Sequence, residues 1–449
     1  MIWPVATRDP LRASALVLDG LNQERAAKVR SEKVQKRVDL MIRAGLLGRR
    51  AAVLLVITIA AATVTTAGQR SSKRPYFPAR GEWQKKDPSA VGLDKAKLHD
   101  AIAFAVAHEN PNTKDLSTAI VNQFRSEAPF NALIGPTQPR AGSNGVIVRH
   151  GVVAAEWGDT SRADMTFSVT KTFLSTVAGV AFDRGSIRSV TDRVAAYMPA
   201  SVDLFTSVHN APITWEHLLR QTSDWSGTLW GKPDWADRPP RGQTPEQWAK
   251  RELHEPGTFF KYNDTRVNVL ALSLLYVLKQ PLPDVLKTSI MDPIGASSTW
   301  HWDAYDNAWV EIDGKRMQSV TGGGHFGGGM FISAYDLARF GYLFLNDGWW
   351  ENRQLVSAKW IAMARTPGPA NPGYGFCNWF LNNPVTRPDG TDSLPFPSTP
   401  RSSVTFQGNG VNAVYLDWEH DLVVVVRWID TNESLDQFLG KVIAAITSS

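Results

Sequence analysis

Residues 158–185 read GDTSRADMTFSVTKTFLSTVAGVAFDRG. Over Phe167–Phe182 the apolar residues Val169, Phe173, Leu174, Val177 and Val180 fall on most sides of a helix, which predicts a buried helix rather than a surface one. Asp183-Arg184-Gly185 closes it with a glycine stop. Ser168 and Lys171 form the chain's only S-x-x-K, and a spacing of three puts both side chains on one helix face. A serine hydroxyl is a poor nucleophile until a neighbouring base takes its proton, and a lysine becomes that base only when burial or a nearby positive potential lowers its pKa. The apolar helix offers the burial, and its N-terminus beside Ser168 offers the potential. As a bare pattern S-x-x-K arises about once by chance in a chain this long, the alternative being a Lys171 that reaches from a core helix to water. A cation in the first turn, where helix polarity opposes it, weakens that alternative.

Working outward, Gly145–Val148 and Val152–Trp157 flank the turn Arg149-His150-Gly151 and predict a hairpin before this helix. Leu98–His108, Thr214–Arg220 and Arg266–Leu278 have helical spacing. Near the C-terminus Asn412–Trp418 and Leu422–Trp428 predict a second hairpin, its second strand LVVVVRW apolar enough to be buried on both faces. Leu435–Ile446 is a closing amphipathic helix. Strands from both ends around a helical middle predict an α+β fold: one antiparallel sheet flanked by helices, with a mostly helical inserted lobe over about 187–320. A cleft between lobe and sheet is the default binding site.

The formal charge of +5 is unevenly spread. Residues 1–50 hold 11 Lys and Arg against 5 Asp and Glu, and the remainder holds 37 against 38, so the body is neutral and no nucleic-acid partner is expected. Arg49-Arg50 leads into Ala51–Ala67, AAVLLVITIAAATVTTA, an uncharged export signal or membrane anchor. It is shorter than the about 20 apolar residues a bilayer span needs, and Thr65-Thr66-Ala67 offers small residues for cleavage. Met41 would open an ordinary signal peptide. The expectation is therefore a periplasmic or secreted protein, or one anchored with its catalytic domain outside, touching membrane only through residues 1–67. Residues 68–90, charged and carrying three prolines, read as a linker arm, and 91–449 as the domain. The single cysteine, Cys377, allows no internal disulfide and reads as a buried structural thiol.

The helix segment resembles the nucleophile region of class C β-lactamase-related, penicillin-binding-protein-like serine hydrolases, which include esterases, D-aminopeptidases and 6-aminohexanoate-oligomer hydrolases. Further blocks agree in order. Ile213–Ser223 (ITWEHLLRQTS) resembles the family's H-L-L-x-x-T-S helix end, and Pro256–Leu270 (PGTFFKYNDTRVNVL) its P-G-x-x-F-x-Y-S-N block. Thr321–Phe340 and Thr405–Trp428 resemble its last two segments, so the likeness spans about 145–430. The resemblance implies that Tyr262 is a second catalytic hydroxyl, shuttling the proton with Lys171.

Two departures qualify the likeness. The family's usual Asn after that Tyr is Asp264 here, with Asn263 between, and a carboxylate near the site would disfavour anionic substrates. Where relatives read K-T-G or H-x-G, this chain reads Phe406-Gln407-Gly408, then Asn409. Gly408 suits close backbone approach, and by the resemblance the amides of Ser168 and Asn409 form the oxyanion hole. With the lysine gone, a β-lactam carboxylate loses its usual partner, unless Arg401 supplies one. His325, within GGGHFGGG, is a candidate cleft wall or a structural histidine, and Trp225 a candidate pocket wall. That glycine run matches G-x-G-x-x-G, but a dinucleotide site also needs the βαβ context, which is missing.

Neither a G-x-S-x-G elbow nor H-E-x-x-H is present, and no metal or cofactor is expected. The expected chemistry is acyl transfer from a small ester or amide through Ser168 to water. The rival readings are a peptidoglycan D-peptidase or weak β-lactamase, and a binding or sensor module that keeps the fold without turnover.

Overall fold

The computed structural model describes residues 75–386 and 389–447; the export segment, Met41 and residues 68–74 lie outside the described residues. Six antiparallel strands form the main sheet: β1 (Asn144–Arg149), β2 (Val152–Trp157), β3 (Phe380–Leu381), β4 (Val404–Gly408), β5 (Asn412–Asp417) and β6 (Leu422–Arg427). They lie in the order β3-β4-β5-β6-β1-β2, so strands from the two ends of the domain meet at the β6·β1 pair. Five helices frame the sheet and lobe: α1 (Lys95–Ala107), α2 (Thr170–Asp183), α3 (Asp264–Leu278), α4 (Ala334–Leu345) and α5 (Asn432–Ala444).

β6 shows why a continuous apolar run fits here. Leu422, Val424 and Val426 pack against α1 and α5 through Leu98, Ala105, Phe438 and Val442. Val423 and Val425 join the other core, which holds Phe173 of α2 and Phe340 of α4. Burying a Val or Leu side chain contributes about 1.5–3 kcal/mol, and every apolar residue of β6 contributes on one face or the other. Such a strand has little face preference of its own, so polar ends must fix the register. Arg427, fully buried, donates to the carbonyls of Ile332 (2.6 Å), Asp164 (3.0 Å) and Met165 (2.8 Å). The same contacts anchor the segment just before Ser168.

The lobe departs from the helical expectation at its end. α3 and the short helices Trp215–Leu219 and Leu282–Leu286 are present, but His301–Ile312 and Lys315–Val320 form an antiparallel hairpin. Trp302 and Ala304, then Ala308 and Ile312, turn inward at the period of a strand on either side of an irregularity where Tyr305 is buried as well. The hairpin pairs with Gly329–Ile332, which pairs in turn with Asp164–Met165.

The linker reading of 68–90 needs correcting from Pro75 onward. Phe77 lies 5.6 Å from the Tyr342 ring and 5.2 Å from Trp350, and Trp83 donates to the Gly151 carbonyl at 2.7 Å. Buried Arg339 donates to the carbonyls of Pro78, Ala79 and Glu82. Charge and proline content suggested an arm, whereas two aromatic anchors and a buried guanidinium make these residues part of the domain.

Candidate active site

The amide of Thr166 donates to Met330 at 2.9 Å, pinning the approach to a single 3₁₀ turn, Phe167–Val169, that leads into α2. Phe167 has φ +48°, a left-handed conformation unusual for an aromatic residue, at the point where the chain turns to present Ser168. Lys171, fully buried in the first turn of α2, donates from Nζ to Ser168 Oγ at 2.8 Å. Its second partner is Asp264 Oδ1 at 2.7 Å. Asn263 caps α3, its side chain accepting from the Arg266 amide at 3.0 Å, so the side chain that faces Lys171 belongs to Asp264.

This pairing changes the expected role of Lys171. Burial pushes its pKa down, but Asp264 and Tyr262 more than offset that and hold it above the ordinary lysine value. Lys171 therefore rests as an ammonium rather than a free base. The ring of Tyr262 lies with its centroid 4.8 Å from Lys171 Nζ, and Tyr262 lines the same cavity as Ser168, which helps hold its phenol pKa down. Burial raises the phenol's pKa, while Lys171 and Arg238 oppose the rise by favouring phenolate. A proton can thus pass from Ser168 to Tyr262 beside a fixed cation.

Behind this trio lies a charged network. Arg238 Nη1 reaches Asp264 Oδ2 at 2.6 Å and also pairs with Asp237. Asp237 accepts from the amides of Asp264 and Thr265, fixing the start of α3. Glu127 accepts from the Arg238 amide at 3.0 Å and bonds His325 Nε2 at 2.7 Å. Burial, with Arg238 adding to it, lowers the His325 pKa to about 4, so the imidazole is neutral at pH 7 and Glu127 accepts its N–H. Glu127, Asp237 and His325 have ligand-type atoms within 4.8 Å of one another. The first two already accept hydrogen bonds from the Arg238 residue, so a side-chain cation is built into the group.

β4 closes the site from the other side. A Cβ on Gly408 would lie 2.2 Å from the Thr166 carbonyl oxygen and 3.1 Å from the Ser168 amide nitrogen, so only glycine lets the strand approach the nucleophile turn. Asn378 clamps the two together. Its Nδ2 donates to the carbonyls of Ser168 and, at 2.6 Å, Gln407, and its Oδ1 accepts from the Gln407 amide at 2.7 Å. Gly323 floors the site, since a Cβ there would overlap Asp264 Oδ1 and Lys171 Nζ. A cavity of about 280 Å³ opens over Ser168, with Tyr262, Phe124 and Phe380 as aromatic walls and Gln407 and Asn409 on its polar side.

A family model described as Beta-lactamase matches residues 140–438. The chain belongs to the β-lactamase family. Among solved structures it is similar to a protein assigned as a 6-aminohexanoate-dimer hydrolase from Bacillus anthracis, 15% identical, covering 83% of this chain and 87% of that one at TM-score 0.49. It is also similar to a β-lactamase from Mycobacterium bovis, 20% identical, covering 69% and 94% at TM-score 0.46. A third is a family VIII carboxylesterase, 15% identical, covering 74% and 98% at TM-score 0.47. No curated protein matches the chain.

Within this β-lactamase-family fold, Ser168, Lys171, Tyr262 and Asp264 come together, and Gly408, Gln407 and Asn409 line the cavity. Asp264 lies at the site as expected, but it is fully buried and its charge is shared by two cations. Trp225 is no pocket wall: it is 2% exposed and donates to the Leu204 carbonyl inside the lobe. His325 stands one layer back, its ring tilted against Phe124 with the centroids 3.8 Å apart. Arg401 is exposed and outside the cavity lining. Cys377 is buried, its thiol pushed up to about 12 by burial. The glycine run joins two strands, without the helix a dinucleotide site needs. Sequence reading missed Arg238, Asp237 and Asn378. All three lie in irregular segments, and only the Asp-Arg pair before Pro239-Pro240 gave a local signal, a charge held next to a stiff turn.

Proposed function

We propose that this protein is an exported serine hydrolase that cleaves a small ester or amide through an acyl-enzyme on Ser168. The 2.8 Å bond between Lys171 Nζ and Ser168 Oγ carries the reading: a fully buried ammonium held on a serine that opens into a cavity has no structural need to be there. Ser168 Oγ attacks the carbonyl carbon and its proton moves to the Tyr262 oxygen, the phenolic proton having been lost to solvent beforehand in the reactive form. The amides of Ser168 and Asn409 hold the oxyanion. When the carbonyl re-forms, the bond to the leaving oxygen or nitrogen breaks, and Tyr262 hands that atom the proton. Water then attacks the acyl-enzyme by the same route in reverse, releasing the acid and restoring Ser168.

Lys171 supports the ionised Tyr262 as a neighbouring charge, in agreement with its place beside Asp264. The test is hydrolysis of 4-nitrophenyl butyrate by the wild type and Ser168→Ala. We expect turnover that falls at least 10³-fold in the variant. Equal rates in the two proteins would dismiss the assignment.

A further inference from the structure

Among the described residues the Ser168 cavity has one charged residue in its lining, Arg238. It belongs to the segment before α3, not to β4, where Gln407 stands in place of the cation that many relatives were expected to carry. Its Nη1 is committed twice, to Asp237 and Asp264, while Nε and Nη2 make no hydrogen bond among the described residues. The side chain is 27% exposed, against none for either carboxylate. Phe124 and Tyr262 flank it, their ring centroids each 5.3 Å from its Cζ. A guanidinium held by two buried acids and sandwiched between rings loses little freedom when it binds a second anion, and its planar fork matches a carboxylate.

Asp264 was expected to repel anionic substrates. Its burial hides that charge, and what the cavity presents instead is Arg238. Asp264 also sets the spacing: one carboxylate group separates Arg238 Nη1 from Lys171 Nζ, which bonds Ser168 Oγ. A substrate that reaches both groups carries its anion a few bonds from the scissile carbonyl.

We propose that Arg238 makes this site selective for esters or amides bearing a free carboxylate a short chain away from the scissile carbonyl. The inference rests on the hydrolase reading above and names its substrate class. Two esters of equal chain length test it: 4-nitrophenyl hemiglutarate, which ends in a carboxylate, and 4-nitrophenyl pentanoate, which ends in a methyl. With the full chain, kcat/KM should favour the hemiglutarate by about tenfold or more after correction for spontaneous hydrolysis. Arg238→Gln should bring the ratio to about one or below, and Arg238→Lys, which keeps charge but not the fork, should leave it in between. The ratio cancels any general loss of activity from loosening Asp264.

Calorimetry with glutarate reads the subsite without turnover, with binding expected in the wild type and lost in Arg238→Gln. If that variant fails to fold, Arg238→Lys carries the same comparison. A wild type that prefers the pentanoate ester and binds no glutarate, or a preference that survives in both variants, overturns the assignment of Arg238. Absence of Ser168-dependent turnover on either ester instead overturns the hydrolase reading, and glutarate binding then decides the anion subsite separately.

Discussion

Lys171 lies within hydrogen-bond reach of both Ser168 and Asp264, and the carboxylate governs its proton. An opposite charge at this distance favours the ammonium, and in a buried site it outweighs desolvation. Lys171 and Tyr262 are both raised above their ordinary values, so the singly deprotonated pair that accepts the serine proton is scarce at neutral pH. kcat/KM is therefore expected to climb with pH through the neutral range instead of levelling there. Asp264→Asn removes the anion, leaves burial to push the Lys171 pKa down, and should move the rising limb to lower pH. A pH–rate profile checks this, and an unmoved limb would show that Asp264 does not set the proton's affinity. The S-x-x-K pair was legible because its spacing is local, and Tyr262 through the family resemblance that its sequence neighbours carry. The protonation state was not, since it depends on a residue 93 positions away in the chain.

At the scale of elements, the position of α3 depends on how its first turns are held inside the lobe. Arg266, 2% exposed, pairs with Asp224 and Asp234 at 2.8 Å each, and Asp224 also takes Arg251 and the His254 amide. Burial opposes ionisation of Asp224, but these partners hold its pKa down to about 2. A folded-state pKa below the unfolded value of about 3.9 means stability that is present above pH 3.9 and lost as pH falls through about 2. Asp224→Asn should cost about 3 kcal/mol at pH 7, because a buried guanidinium loses a charged partner, and should flatten the acid limb. Urea unfolding of both proteins at pH 7 and pH 3 checks this; equal stabilities would contradict it. α2, α3 and both terminal hairpins were readable from periodicity and turn residues. The hairpin at 301–320 was passed over because its alternation is broken by a shift in strand register after Ala304. Asn378 was unreadable for a different reason: its backbone is in the left-handed region, and its partners come from β4 and the nucleophile turn.

For the whole molecule, the body is neutral and the excess charge lies in residues 1–50, which suits a leader or anchor in front of a folded hydrolase. The N-terminal boundary of the domain is placed by packing rather than composition. Residues 75–90 supply three carbonyls to Arg339 and aromatic contacts to Tyr342, so a chain beginning at residue 91 leaves that guanidinium with one protein carbonyl partner, Ile294. We expect 91–449 to be less stable than 75–449 by about 3 kcal/mol or more, as hydrogen bonds to charged groups contribute about 1.5–3 kcal/mol each. Thermal melts of the two chains check this, and coincident melts would return 75–90 to the status of a linker.

The most direct test of the central claim is intact-mass analysis of the full chain after reaction with a fluorophosphonate, followed by peptide mapping. A single phosphonyl adduct, formed with loss of fluoride, is expected on the peptide that contains Ser168, and none in Ser168→Ala. An adduct on another residue, or folded wild-type protein that stays unlabelled, would contradict it.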